Sequence, residues 1–149
     1  MNLKRVENYL GEEGILSTRL EGFEFRPQQV DMAVAVAEAL GNAKHLIVEA
    51  GTGTGKSLAY LIPAILWAVE NNKKVVISTY TKTLQHQILN HDIPFLRDKL
   101  GIAFRYALCM GNENYLSLRR LKRSAQAGLF TKSDEENQWD GIFNWAEET

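Results

Sequence analysis

The sequence predicts an α/β fold in which helices alternate with short parallel strands. Two apolar runs, Leu46–Val48 and Val75–Ile77, have the composition of strands that are buried on both faces. Between them, residues 55–70 carry apolar side chains at helical spacing, which is long enough for the crossover between parallel strands. The order of these elements therefore predicts a βαβ unit.

Helical periodicity predicts the elements on either side of this unit. Further helices are predicted over residues 27–40, 83–90, 118–125 and 133–146, with a weaker strand over residues 103–110. Pro27 suits a first helical turn, and the stretch Asp92–Pro94 is expected to end the third helix, with a shorter helical piece following up to Leu100–Gly101. Pro63 lies inside the crossover helix, so that helix is expected to kink or to be held by packing. The carboxyl-terminal end of the chain is predicted to be helical.

Composition indicates an ordinary globular domain. The chain has 149 residues, with 17 Lys and Arg against 18 Asp and Glu, a formal net charge of -1. Its single cysteine, Cys109, cannot form an internal disulfide, which favours a reducing compartment, and we expect it to be buried in the weaker strand. No apolar run approaches the roughly 20 residues of a membrane span. We therefore expect a cytoplasmic protein with no membrane association.

A phosphate-binding loop is predicted where the first strand meets the crossover helix. Glycines at positions 51, 53 and 55 allow a tight turn with its amides pointing inward, and the following helix start adds partial positive charge. Lys56 is placed to reach the β and γ phosphates and is the candidate catalytic residue, and Ser57 is the candidate Mg²⁺ ligand. The predicted cofactor-binding set in this loop is Gly51, Thr52, Gly53, Thr54, Gly55, Lys56 and Ser57.

With Ala50 where the general consensus has glycine, Ala50–Ser57 resembles motif I of superfamily 2 helicases, and further stretches are similar to the DinG/XPD-like branch. The resemblance implies a partial RecA-like P-loop domain that binds ATP and Mg²⁺, with its amino-terminal part in residues 1–110. Residues 111–149 are then the start of an inserted helical region. By this resemblance the chain is an amino-terminal fragment of an ATP-dependent DNA helicase of DNA repair or replication.

Two further stretches carry the resemblance. The stretch Phe25–Gln29 looks like the Q-type motif of the branch, which implies that Gln29 recognises adenine; its amide offers both a donor and an acceptor. The stretch Ser78–Gln85 is similar to motif Ia, which implies contacts with the backbone of single-stranded DNA. The residues assigned to DNA on this basis are Thr79, Thr81, Thr83 and Gln85. Taken alone, the same stretch is better explained as a polar turn with a capping hydroxyl.

The stretch Gly111–Ser117 resembles the segment in which the branch places the first cysteine of an iron-sulfur cluster, and Ser117 stands at that position. Because no cysteine follows Cys109, no iron-sulfur cluster is expected. The Asp–Glu pair that the family uses for hydrolysis is also not found, since Asp134–Glu136 follows polar residues and suits a first helical turn. We expect the chain alone to bind nucleotide weakly and to turn over almost none.

Two other classes of function remain open from the residues. One is a small P-loop kinase or GTPase-like switch, and the other is a non-catalytic interaction module. Trp139 and Trp145 lie on the last predicted helix, whose strongly apolar face is expected to allow self-association.

Overall fold

The computed structural model describes residues 3–99, 101–126 and 133–148. The chain divides into two compact units, Met1–Tyr106 and Ala107–Thr149. The helices of the first unit are α1 (Leu3–Leu10), α2 (Ile15–Arg19), α3 (Pro27–Gly41), α4 (Lys56–Asn71) and α5 (Lys82–Gln87). In the part of the chain that the structure describes, no helix is long and apolar enough to cross a membrane.

The core of the first unit lies where α3 packs against α4, with α1 against both helices. Ala33 and Ala37 stand one turn apart on α3 and are fully or almost fully buried, so their small side chains allow a close approach. From α4, Leu61, Ile62 and Leu66 enter the same cluster. The helices predicted over residues 27–40 and 55–70 are thus confirmed as α3 and α4.

Pro63 does not end α4, which runs through it to Asn71. The proline is almost completely buried, among the largest side chains withdrawn from solvent. Packing around it offsets the hydrogen bond that a proline removes from a helix ladder. The helix ends at Asn72, which takes a left-handed conformation with φ of 51°.

The predicted α/β fold is wrong for this structure. The described residues contain no strand, so neither the predicted parallel sheet nor the RecA-like arrangement implied by the resemblance is present. Ile47 and Val76, in the middle of the two predicted strands, are 99% and 90% exposed instead of buried. A pair of short strands is marginal without further strands or a packed face. Here α3 and α4 bury their apolar faces directly against each other, and the two apolar runs have no regular secondary structure.

The chain after α5 remains helical where Asp92–Pro94 was expected to end the helix. Two wide π-helical segments follow, Ile88–Asp92 and Phe95–Lys99. Their apolar residues explain the continuation, because Ile88, Ile93 and Leu96 are buried in the core cluster. The expected termination at the proline is therefore overridden by tertiary packing.

The second unit contains a 3-10 turn at Asn112–Asn114 and the helices α6 (Leu118–Gln126) and α7 (Ser133–Glu148). Ser117 precedes α6, and its hydroxyl accepts a hydrogen bond from the Arg120 amide at 3.4 Å. The weaker strand expected over residues 103–110 is absent, and Cys109 is exposed, so its predicted burial is wrong.

Candidate nucleotide-binding site

The glycine-rich loop turns into α4 through two left-handed residues. Gly53 has φ of 78° and Gly55, which precedes the helix, has φ of 72°. Residues other than glycine take this backbone conformation at a cost of roughly 1–2 kcal/mol, which accounts for glycine at both positions. No side chain caps the amino-terminal end of α4. The amides of its first turn thus keep the orientation that favours an anion at this end.

Gln29 joins α3 to this loop. Its Nε2 donates a hydrogen bond to the carbonyl oxygen of Gly55 at 2.9 Å, and the residue is only 5% exposed. A Cβ built on Gly55 would lie 2.0 Å from the same nitrogen, so the glycine also makes room for the glutamine. The structure places Gln29 beside the loop, with its amide nitrogen committed to the backbone; recognition of adenine by this residue stays a prediction.

Two cationic side chains bind carbonyl oxygens of the loop. Lys56 Nζ donates to the carbonyls of Ala50 and Gly51 at 3.0 Å and 2.6 Å. Arg26 Nη1 donates to the Gly53 carbonyl at 2.6 Å, and its Nη2 pairs with Glu24. Sequence reasoning did not single out Arg26, although it lies inside the stretch that resembles a Q-type motif. These contacts hold positive charge against the loop where a phosphate would add negative charge.

The remaining predicted loop residues take different positions. Thr54 donates its hydroxyl to the Gly51 carbonyl at 3.0 Å, which closes the turn internally. Thr52 and Gly51 are exposed. The structure thus brings the whole predicted set into one loop and the first turn of α4, with Lys56 and Thr54 bonded to its backbone.

A cleft of about 360 Å³ opens beside the loop. Its lining consists of Gly53, Gly55, Lys56, Ser57, Leu58, Gln87 and Asp92. Gln87 and Asp92 were not expected there, because contiguous sequence does not show that the helical stretch after α5 reaches the loop. A larger cavity of about 570 Å³ lies at α1 and α2, but Glu7 and Glu13 line it and no cationic side chain does, so it does not suit phosphate.

Asp92 is the acidic group of this cleft. Burial raises its pKa above the ordinary value, while the positive charge of His91 and a side-chain hydrogen bond with Ser57 partly lower it. Its Oδ2 atom is buried and has no hydrogen-bond partner. Burial likewise raises the pKa of Tyr60, which also interacts with Ser57.

The oxygen atoms around Ser57 fit a magnesium ion. Mg²⁺ prefers oxygen ligands, keeps several waters, and is commonly held by one or two protein groups together with substrate phosphates. Ser57 places a hydroxyl oxygen in the cleft, and the Asp92 carboxylate in the same cleft adds negative charge near it. Among the described residues, no group of three or more His, Cys, Asp or Glu side chains could hold a metal ion by itself. Such a site therefore depends on the phosphates for its remaining ligands.

The residues assigned to DNA lie around the start of α5. Thr81 Oγ1 accepts a hydrogen bond from the Leu84 amide at 3.2 Å and caps the helix, and Thr79 Oγ1 donates to the Thr81 carbonyl at 3.3 Å. Thr83 is exposed and Gln85 is partly buried. The capping alternative accounts for Thr81, and contact of all four residues with DNA stays a prediction.

A glycine-rich loop that leads through left-handed residues into a helix beginning Lys–Ser is typical of the P-loop class of nucleotide-binding proteins. The model of the DEAD/DEAH box helicase family matches residues 30–134. The chain belongs to the DEAD/DEAH box helicase family.

Several curated proteins are similar to the chain. The ATP-dependent DNA helicase YoaA of Haemophilus influenzae is 41% identical over 125 residues, and the ATP-dependent helicase DinG of Mycobacterium tuberculosis is 43% identical over 129 residues. Each match covers 84% of this chain and 19% of the relative. The 3'-5' exonuclease DinG of Bacillus subtilis is 35% identical over 92% of this chain and 14% of its own length. The chain thus spans about a fifth or less of these relatives. No solved structure gives a significant match.

Proposed function

We propose that the chain binds ATP with Mg²⁺ in the cleft beside the glycine-rich loop, as part of a DinG-type DNA-dependent ATPase and helicase. The observation that supports this most directly is the position of Lys56. Its Nζ is held by two loop carbonyls, at 3.0 Å and 2.6 Å, and the residue lines the cleft together with Ser57 and the loop glycines. A triphosphate in the loop offers this ammonium stronger, charged acceptors.

The residues of the cleft have separate roles in the proposal. Lys56 binds the β and γ phosphates, Ser57 supplies a hydroxyl oxygen to Mg²⁺, and backbone amides of residues 51–55 bind phosphate oxygens. Mg²⁺ supplies charge neutralisation on the bridged phosphates when bound. Gln29 Nε2 holds Gly55, and the Oε1 atom of the same amide is proposed to accept from the adenine amino group.

The parent protein is proposed to act on single-stranded DNA in the cytoplasm, in DNA repair or replication. The names of the YoaA and DinG relatives support a DNA helicase. Thr79, Thr81, Thr83 and Gln85 are proposed to contact the DNA backbone, and no iron-sulfur cluster is proposed.

The isolated chain is proposed to be inactive in steady-state hydrolysis. Its last helix is proposed to favour self-association, since Ile142 and Trp145 are 41% and 57% exposed.

A thermal-shift titration with ATP and with GTP, both with Mg²⁺, tests the proposal. A rise in melting temperature with ATP that exceeds the rise with GTP is expected, because a ligand that binds only the folded chain stabilises it. Lys56→Ala should remove the rise, whereas Lys44→Ala, which changes an exposed lysine outside the loop, should keep it. A preference for GTP would favour the switch class. No shift with either nucleotide would favour the interaction module and reject the proposal.

A further inference from the structure

Asp92 is brought to the cleft by a wide helical turn and not by the loop itself. It ends the π-helical segment Ile88–Asp92, and the neighbouring Ile88 and Ile93 are buried in the core. These two anchors fix the backbone on either side of the carboxylate. Single π-helical turns occur often at functional sites because they redirect one side chain out of the regular helical path. Here the last residue of such a segment, Asp92, lines the same cleft as Lys56 and Ser57.

The surroundings of Asp92 leave the carboxylate incompletely paired. Its neighbours are Ser57, whose hydroxyl lowers the pKa of the carboxyl, and the titratable side chains of His91 and Tyr60. Oδ2 nevertheless has no hydrogen-bond partner although it is buried. Leaving a buried acceptor without a partner costs about 1–3 kcal/mol, and more for a charged group. Such an atom calls for a partner that the protein alone does not supply.

Ser57 has two neighbours that compete for its hydroxyl proton. Tyr60 lies one turn further along α4, on the same side as Ser57, and both Tyr60 and Asp92 interact with the serine hydroxyl. A hydroxyl has one proton, so it can donate to only one of them at a time, whereas the Tyr60 hydroxyl can itself donate to the serine oxygen. A carboxylate is the stronger acceptor, because hydrogen bonds to ionised groups are about twice as strong as neutral ones.

We propose that Asp92 is a positioning residue of the nucleotide site, accepting the hydroxyl proton of Ser57 so that the serine oxygen faces the cation in the cleft. This inference rests on the proposed function. Partners that accept a proton from a metal ligand fix its orientation and raise its basicity, and their loss typically weakens metal binding 10-fold to 100-fold. The cation also compensates the charge of a carboxylate that is otherwise underpaired. Asp92 thereby couples the helical stretch after α5 to the magnesium-dependent part of nucleotide binding.

The test compares ATP affinity in Mg²⁺ with ATP affinity in EDTA, measured by calorimetry on the whole chain. The ratio of the two affinities is called the magnesium gain. Asp92→Asn should reduce the magnesium gain by about tenfold while the affinity in EDTA stays unchanged. Asp98→Asn is the matched control, because this carboxylate is 60% exposed and pairs with Arg97. The control should keep the full magnesium gain.

Further variants separate Asp92 from its neighbours. Tyr60→Phe removes the competing hydroxyl and should keep the magnesium gain. Ser57→Ala should lose it, Ser57→Thr should keep it, and the double variant Ser57→Ala with Asp92→Asn should lose no more than Ser57→Ala alone, because Asp92 acts through the serine. If Asp92→Asn also lowers the thermal midpoint, its ATP affinity in EDTA separates the two effects, because a structural change lowers the affinity in both Mg²⁺ and EDTA.

The outcomes distinguish this inference from the function on which it rests. Absence of ATP binding by the unmodified chain overturns the proposed function. ATP binding with a magnesium gain that Asp92→Asn leaves intact overturns only the positioning role. An equal loss of affinity in Mg²⁺ and in EDTA overturns it too, because that result shows a structural effect. If Tyr60→Phe loses the magnesium gain and Asp92→Asn keeps it, the tyrosine positions the serine hydroxyl and the role of Asp92 is rejected.

Discussion

Gln29 Nε2 donates to the carbonyl oxygen of Gly55 at 2.9 Å, across 26 positions of sequence. The bond connects the first turn of α3 to the residue that precedes α4, so the position of the loop depends on how α3 is packed. The same two helices also pack against each other in the core, so the loop and the core share their supporting elements. The loop is thus anchored at Gln29, at Arg26 through Gly53, and at Lys56 through Ala50 and Gly51.

Removing the Gln29 amide should destabilise the fold. In Gln29→Ala the carbonyl of Gly55 keeps only the Ala59 amide, which donates at 3.2 Å, and the loss of one of its two hydrogen bonds costs about 0.5–1.5 kcal/mol. Urea denaturation measures the loss in the free energy of unfolding. Gln28→Ala is the matched control, because that glutamine is exposed on the same helix and should change stability by less than about 0.5 kcal/mol. Equal effects of the two substitutions would contradict a structural role of the bond.

Alanine substitutions at the three loop glycines separate two causes of strain, a positive φ and a steric clash. Gly51→Ala meets no atom within 4 Å and its φ is not positive, so it should be nearly neutral. Gly53→Ala also meets open space but takes φ of 78°, which costs roughly 1–2 kcal/mol. Gly55→Ala adds a clash at 2.0 Å with Gln29 to a φ of 72° and should be the most destabilising. Thermal unfolding of the three variants gives the ranking, and a Gly51→Ala effect as large as that of Gly55→Ala contradicts it.

The sequence predicted helices better than the sheet, for a physical reason. In residues 27–40 and 55–70 the apolar side chains repeat at helical spacing and so form one face of each helix. Helices α3 and α4 bury these faces by packing on each other. Short runs such as Leu46–Val48 are strands only when neighbouring strands supply hydrogen bonds, and no such neighbour exists among the described residues. Local composition is therefore insufficient to decide their structure.

In the site, too, residues that are contiguous in the sequence could be predicted, and residues that only the fold brings together could not. The loop from Gly51 to Ser57 was recognised because glycines, lysine and serine are contiguous. Asp92 and Gln87 were missed because they reach the cleft through the fold of the chain after α5. Ile88 and Ile93 in that stretch are apolar at positions that flank Asp92, and this pattern was the only available signal that the stretch packs back.

The core of the first unit should be sensitive to truncation within α4. Ile62 has no exposed surface, and Ile62→Ala should cost about 2–5 kcal/mol through lost burial and the cavity that remains. Val69 lies on the same helix but is 50% exposed, so Val69→Ala should cost far less. The midpoint of urea unfolding, measured by circular dichroism, checks both values. A similar loss in the two variants would show that α4 does not pack as described.

Capping of α5 by Thr81 can be separated from any contact with DNA. Thr81→Ala removes the acceptor for the Leu84 amide and should cost about 1 kcal/mol, whereas Thr81→Ser keeps that acceptor and should retain most of the stability. Thr83→Ala, an exposed change within the helix, is the control and should be nearly neutral. Denaturation without DNA measures the cap, and binding of labelled single-stranded DNA measures the second role. Lower DNA binding in Thr83→Ala without lower stability would favour a phosphate contact at that residue.

The pH dependence of stability should carry the signature of Asp92. Burial raises its pKa in the folded state above the ordinary 3.8, so the folded chain binds this proton more tightly than the unfolded chain does. The free energy of unfolding therefore falls as pH rises from about 3.8 through the pKa of the folded state. Above that pKa the cost of burying the ionised carboxylate is complete. Asp92→Asn removes this penalty.

The difference in free energy of unfolding between Asp92→Asn and the unmodified chain should then grow in favour of the variant across that window. The difference should stay level at higher pH, because Asp92 is then ionised in both the folded and the unfolded chain. Urea denaturation in EDTA, without nucleotide, at a series of pH values measures it. Asp98→Asn, which changes an exposed carboxylate, serves as the control for general charge effects. A difference that instead falls with rising pH would mean that the carboxylate stabilises the fold in its ionised form, and the assignment of burial as the dominant influence on Asp92 would be wrong.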